Sequence, residues 1–284
     1  MATTSMRLPI STSRKRVRGL AITLRALGTT KVILSSVAFY ALFITIIVGA
    51  IYPTMSKAIN LTAYLGSSVI SGLVGTNLKT YNTFPALLAI ELYGSFYPLV
   101  FGGAIAYIAG AALPTTIENG TIDLALSRPI SRTRYYLEML LSGFLAGIIT
   151  SLVTLLAVWI STFIVKDNGL DWTWALIAQL IETAFFCFAI GVGMLFGSFL
   201  NSSRAAGGAT LGIMGLGYLI SIVGTLSSKL DWLQRIGPFY YAKGGEALVN
   251  HTITVWYPCV LFGVGVICAL AGLIIFNRRD LPAN

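Results

Sequence analysis

The chain has 284 residues, of which 56% are hydrophobic and only 10% charged, with a formal net charge of +9. Soluble domains carry about 25% charged residues, so this composition leaves too little polar surface for a water-soluble globule. The basic residues are scattered between long uncharged stretches, which excludes a soluble nucleic-acid binder and points to a lipid bilayer.

Residues 1–31 are basic and precede a hydrophobic run longer than a signal-peptide core, so that run is expected to stay in the mature protein. Within the basic segment Val17, Leu20, Ala21, Leu24 and Leu27 recur at helical spacing, with Arg14, Arg18 and Arg25 on a neighbouring face. The pattern predicts an amphipathic helix over 14–30 in the inner membrane interface, the alternative being an unstructured basic tail that only sets topology.

A helix needs about 20 apolar residues to cross the hydrocarbon core. Six stretches qualify, at about 32–52, 86–113, 139–165, 174–200, 205–228 and 255–277. No polar segment between them is long enough for a separate soluble domain, so residues 1–284 read as one all-α transmembrane domain. With the N-terminus inside, thirteen Lys and Arg residues fall on the inner side and six on the outer, which puts both termini in the cytoplasm. Tyr52, Trp172, Trp174, Trp256 and Tyr257 then sit at outer boundaries, where amphipathic rings prefer to lie.

Glu91 and Glu182 fall inside predicted spans, where a charge costs about 2.5 to 3.5 kcal/mol at the centre. Either they take part in the pathway or its gating, or they lie near the outer ends and reach the interface. In the fifth span Gly208 and Gly212 have the small-xxx-small spacing of close helix packing, and Gly102-Gly103 and Gly191 with Gly193 read the same way. Cys187, Cys259 and Cys268 lie in apolar runs and read as packing residues. His251, the single histidine, reads as a solvated loop residue with no second ligand near in sequence.

Between the second and third spans runs Glu118-Asn-Gly-Thr-Ile-Asp-Leu-Ala-Leu-Ser-Arg-Pro-Ile-Ser-Arg132. Gly120 and Thr121 can start a short helix, Asp123 complements its positive N-terminus, and Pro129 ends it. Ile122, Leu124 and Leu126 would expose apolar surface beside Arg128, Arg132 and Arg134, as a helix meant for a protein partner does. The bland reading is an ordinary loop whose Gly and Pro are helix stops.

This stretch resembles the ABC-2-type permeases, the membrane subunits of ATP-driven exporters. Their acidic residue, Gly-Thr, apolar helix and Pro-x-Ser-Arg stand here as Glu118, Gly120-Thr121, Leu124 to Ser127, and Pro129 to Arg132. The resemblance extends over nearly the whole chain, including the aromatic segment Gly237-Pro238-Phe239-Tyr240-Tyr241 before the last span. It implies the ABC-2 (type V) exporter fold with a cytosolic coupling helix over about 119–128. It further implies that Glu118, Gly120, Thr121, Asp123, Leu124, Leu126, Pro129 and Arg132 contact an ATPase subunit. Ala125 departs from the family in being smaller than the usual apolar residue, which makes the docking surface shallower.

No G-x-x-x-x-G-K-[ST] stretch is present to cradle nucleotide phosphates, so the chain is not expected to be an enzyme or to hold a cofactor by itself. ATP and magnesium are expected on a separate nucleotide-binding subunit, present in two copies. The membrane half would then pair with a second copy or a paralogue, along the first, second and fifth spans as the resemblance implies. Besides these partners only membrane lipids are expected, with no nucleic acid, and the setting is a plasma membrane, prokaryotic by resemblance. The expected activity is export of an amphiphile such as a drug, lipid or hydrophobic peptide. The alternatives, an intramembrane hydrolase or an ion-coupled carrier, would work without an ATPase. The first lacks an intramembrane base or a G-x-S-x-G or H-E-x-x-H motif, and the second lacks matching internal repeats.

Overall fold

The computed structural model describes residues 20–58, 78, 82–94, 97–122, 127, 130–166, 168–225 and 228–280. Six of the described helices are long and apolar enough to cross a membrane. The main elements are α1 (Ala21–Ala58), α2 (Phe84–Glu91), α3 (Gly103–Glu118), α4 (Arg132–Ile164), α5 (Trp172–Phe199), α6 (Ser203–Thr225), α7 (Gly244–Asn250) and α8 (Trp256–Arg278). An all-helical solution is what lipid demands, because only a helix satisfies its own backbone polar groups without water.

Two expected boundaries are corrected. Residues 21–30 are not a separate interfacial helix but the first turns of α1, which runs unbroken for 38 residues through Pro53. Gly28 does not interrupt it, and the Thr29 and Thr30 hydroxyls donate back to the Ala26 and Leu27 carbonyls at 2.7 and 3.1 Å. The expected residues 14–19 lie outside the described part of the chain. The second span, expected as one run over 86–113, is instead broken. Helix α2 ends at Glu91, residues 92–94 are non-helical, and the path resumes as a π-helical turn Tyr97–Gly102 that leads into α3. Gly94 and Pro98 are the local cause, since glycine is a weak helix former and proline lacks the amide donor that a continuous helix would aim back at residue 94.

Helix α5 stands at the centre, and glycine lets its neighbours reach its backbone. A Cβ on Gly191 would overlap the Gly265 carbonyl of α8, and one on Gly265 would lie 2.6 Å from the Cys187 carbonyl of α5. On the next face, a Cβ on Gly193 would be 2.6 Å from the Ala106 carbonyl, and one on Gly197 2.7 Å from the Gly110 carbonyl. Gly110 O is the carbonyl that Pro114 leaves without its helical donor, so the close approach falls where α3 is already opened. Helix α4 completes the ring, with Gly143 and Gly147 seated on Ile190 and Phe186.

Within the chain the glycines of the fifth span divide into two sets. Gly207 packs on the Tyr107 ring and Gly217 on Pro238, whereas Gly208, Gly212 and Gly215 have no atom within 4 Å of an added Cβ. The Gly208 and Gly212 face of α6 is therefore open within this chain. Gly191→Ala is expected to force helix backbones apart and cost about 1 to 3 kcal/mol, as overpacking does. Thermal denaturation of the solubilised chain should show a clear loss for Gly191→Ala and almost none for Gly208→Ala or Gly212→Ala.

Candidate functional site

The break in the second span delivers two tyrosines to the middle of the bundle. Tyr93 and Tyr97 are fully buried against α4 and α5. The Tyr93 hydroxyl donates to Gln179 Oε1 at 3.3 Å, Gln179 Nε2 donates to the Tyr97 hydroxyl at 2.8 Å, and that hydroxyl donates to Thr154 Oγ1 at 3.2 Å. The Thr154 hydroxyl in turn donates to the Thr150 carbonyl at 2.9 Å. Beside this chain Ser151 and Thr183 meet at 2.9 Å, with Ser151 the donor because Thr183 donates to the Gln179 carbonyl at 2.7 Å. Tyr97 is held flat by Phe101, with ring centroids 4.4 Å apart. Each bond is strong here because water is excluded, and each is costly to break for the same reason.

Glu182 sits one turn past Gln179 on α5 and is 0% exposed. Neither carboxylate oxygen has a side-chain hydrogen-bond partner among the described residues. The carboxylate faces Gly244 at the start of α7, where a Cβ would lie 2.5 Å from Oε1. Only glycine leaves room for it. Glu91, by contrast, ends α2 with an exposed side chain. The two expected intramembrane carboxylates are thus separated by environment: Glu182 belongs to the buried polar core and Glu91 does not.

At the inner end, side chains close the loose ends of helices. Glu118 accepts from the Ser203 amide at 3.0 Å and from the Ser203 hydroxyl, so it caps the N-terminus of α6. Arg132 Nη1 donates to the Arg279 carbonyl at 2.6 Å, and Arg279 Nη1 donates to the Ser198 and Leu200 carbonyls, at 2.9 and 3.3 Å, at the end of α5. Gly120 takes φ +62, the left-handed stop of α3, and its amide donates to the Ile117 carbonyl at 3.0 Å. Thr121 Oγ1 reaches back to the Thr116 carbonyl at 3.3 Å. Ile122 was expected to face the cytoplasm and is instead buried in the core. Asp123, Leu124, Leu126 and Pro129 lie outside the described residues, as do Ala125 and Arg128.

Sequence reasoning passed over Glu138. It is 8% exposed, accepts from the Ile22 amide at 3.2 Å and from Arg134 Nε at 3.0 Å, and its own carbonyl accepts from Thr23 Oγ1 at 3.1 Å. It therefore pins the start of α1 to α4. The Arg134 and Glu138 spacing of i, i+4 was the readable signal.

At the outer end Trp174 stacks on His251 at 5.2 Å, and Tyr240, Tyr241, Trp256 and Tyr257 pack edge to face. His251 is exposed and in the left-handed conformation that ends α7. Of the three cysteines, Cys259 is exposed and Cys187 and Cys268 are partly buried, all with free thiols.

Tyr97→Phe and Gln179→Leu should each lower stability by about 1 to 3 kcal/mol, because each strands a buried partner. The double variant is expected to cost less than the sum of the two. A double-mutant cycle in thermal or detergent unfolding measures that coupling, and strict additivity would mean the two groups act independently.

A family model described as ABC-2 family transporter protein matches residues 30–281. No curated protein matches the chain. The family match spans five complete helical crossings, most of α1 and the buried polar core, and it agrees with the six-span all-helical architecture; membrane subunits of this family work with an ATP-binding partner. The chain belongs to the ABC-2 family of transporter proteins.

Proposed function

We propose that this chain is the membrane-spanning half of an ATP-driven exporter in a prokaryotic plasma membrane, moving an amphiphilic substrate such as a drug, lipid or hydrophobic peptide out of the cell. Two such subunits, identical or paralogous, pair in the bilayer and work with two nucleotide-binding subunits that hold ATP and magnesium. The observation that carries this reading is the family match over residues 30–281 in a chain that itself has no phosphate-cradling motif.

Pairing is supported by what the single chain leaves uncovered. The open Gly208, Gly212 and Gly215 face of α6 adjoins exposed Leu211, Leu216 and Leu219, and α1 shows Phe39 and Phe43 to its surroundings. Small residues in lipid allow backbones of two helices to approach, which is the main source of helix association there.

Coupling is assigned to the segment 119–128, with Asp123, Leu124, Leu126 and Pro129 as its contacts to the ATPase. Glu118 and Arg132 already hold helix ends together within the chain, so their substitution would disturb the fold as well as any contact. Leu126 and Asp123 are the cleaner probes. A buried apolar anchor is worth about 1 to 3 kcal/mol, or roughly five- to 150-fold in docking. Leu126→Asp or Asp123→Ala, reconstituted with the ATP-binding subunits of the source organism, is expected to leave the protein inserted while releasing the ATPase or uncoupling hydrolysis from transport. Full coupling in both variants would place the ATPase contact elsewhere.

Glu182 is assigned to gating or to the pathway, because a carboxylate buried inside a span, with no ion-pair or side-chain partner among the described residues and only the Gly244 backbone facing it, lowers stability. Glu182→Gln keeps the shape and removes the charge. It should melt at the same temperature as the parent or higher, and yet lose substrate-stimulated ATP hydrolysis. Unchanged stimulation would assign Glu182 no part in transport.

A further inference from the structure

A cavity of about 620 Å³ opens at the inner end of the bundle, between the first turns of α1, the last turns of α3 and the start of α4. Pockets that hold small ligands measure about 300 to 1,000 Å³, so the space suffices for a single-chain molecule. None of its lining residues belongs to the buried polar core around Tyr97.

Its polarity changes along its depth. Helix α1 contributes the stripe Ile22, Arg25, Ala26, Thr29, Thr30 and Ile33, running inward from the cytoplasmic end. Helix α3 runs the other way, with Tyr107, Ile108, Ala111 and Ala112 deep and Thr115, Thr116 and Asn119 at the mouth. From Arg25 to Ile33 the rise is about 12 Å at 1.5 Å per residue, which separates a charged, hydroxyl-rich mouth from an apolar end. The hydroxyls of Thr29, Thr115 and Thr116 donate to carbonyls of their own helices at 2.7 Å. Such back-bonds are weak, and a hydroxyl can rotate from one to donate to a guest.

The electrostatic sign is set by which charges are already engaged. Arg25 is the one formal charge among the described lining residues. Among the described residues the carboxylates nearest the mouth are offset, Glu138 by Arg134 with the Ile22 amide, and Glu118 by Arg204 and the N-terminus of α6 at Ser203. The described lining of the mouth is therefore positive, and the deep end beyond the threonines is apolar.

We infer that this cavity binds an anionic single-chain amphiphile, head group at Arg25 and chain directed toward Tyr107 and Ile33. On the exporter reading, this is where cargo from the inner leaflet is loaded. Binding does not depend on ATP, so the site and the exporter reading can fail separately.

The test uses the full chain in nanodiscs of uncharged phosphatidylcholine, with a diazirine-bearing palmitate and the same chain carrying a trimethylammonium head. Palmitate is expected to label peptides containing Tyr107, Tyr135 or Met139, to be competed by unlabelled palmitate, and to outdo the cationic probe. Arg25→Gln should weaken labelling about tenfold, the scale of one lost charge-assisted contact, with Arg25→Lys retaining most of it. Arg25 is exposed, so folding is not at stake. Competition by phosphatidylglycerol at equal concentration would identify a resident membrane lipid as the source of the same head-group chemistry, and its failure to compete would identify a free cargo. The inference is overturned if both probes label equally, if Arg25→Gln changes nothing, or if labelling falls only on lipid-facing residues such as Leu152 and Phe163. Palmitate binding by a chain that recruits no ATPase would keep the site and remove the exporter reading.

Discussion

The distance between helix backbones along α5 governs this molecule. In lipid no hydrophobic driving force separates a helix–helix contact from a helix–lipid contact, so helices are held by van der Waals packing and by the few polar contacts they share. Gly191, Gly193 and Gly197 allow α8 and α3 to come against the backbone of α5 on two faces, while Gly143 and Gly147 let α4 close the third. Everything polar in the interior follows from that proximity. Tyr97 can reach Thr154 and Gln179 together only because α4, α5 and the π-helical turn Tyr97–Gly102 are drawn close.

How far the sequence could be read depended on whether a feature is local. Charge-free runs located the spans, and Gly120 and Pro129 marked a segment of separate character, because composition and helix stops act within a few residues. The break after Glu91 was announced by Gly94 and Pro98, but a continuous apolar run outweighed them in the reading. Small-residue spacing told which glycines share a face of α6 and could not tell whether that face packs within the chain: Gly207 and Gly217 carry the internal contacts, and the Gly208 and Gly212 face is open. Glu138 could be paired with Arg134 by spacing, but its bond to the Ile22 amide joins residues 116 apart in the chain and belongs to the tertiary fold alone. Glu182 was visible as a charge out of place. That its burial is complete, with Gly244 shaped around it, was not.

The inner end of the bundle follows a single electrostatic rule. Helix N-termini carry partial positive charge and orphan amides, and C-termini carry the opposite with orphan carbonyls. Glu138 and Glu118 meet the N-termini of α1 and α6, while Arg279 meets the C-terminus of α5 and Arg132 that of α8. Four charged side chains thereby link α1, α4, α8 and α5 in one series and α3 with α6 in another, each through a bond to backbone. Such links survive most surface substitutions, since one partner in each is the main chain.

The unbroken length of α1 has a mechanical consequence. Thirty-eight helical residues extend roughly 57 Å, nearly twice the thickness of the hydrocarbon core, so the helix projects beyond the bilayer. It is fastened low down at Ile22 and Thr23 to α4, and high up Tyr52 lies edge-on to Phe84 of α2 at 5.5 Å. A continuous helix held at both ends passes a displacement along its length rather than absorbing it, so the start of α4 and the short helix beside the break in the second span are mechanically joined through α1.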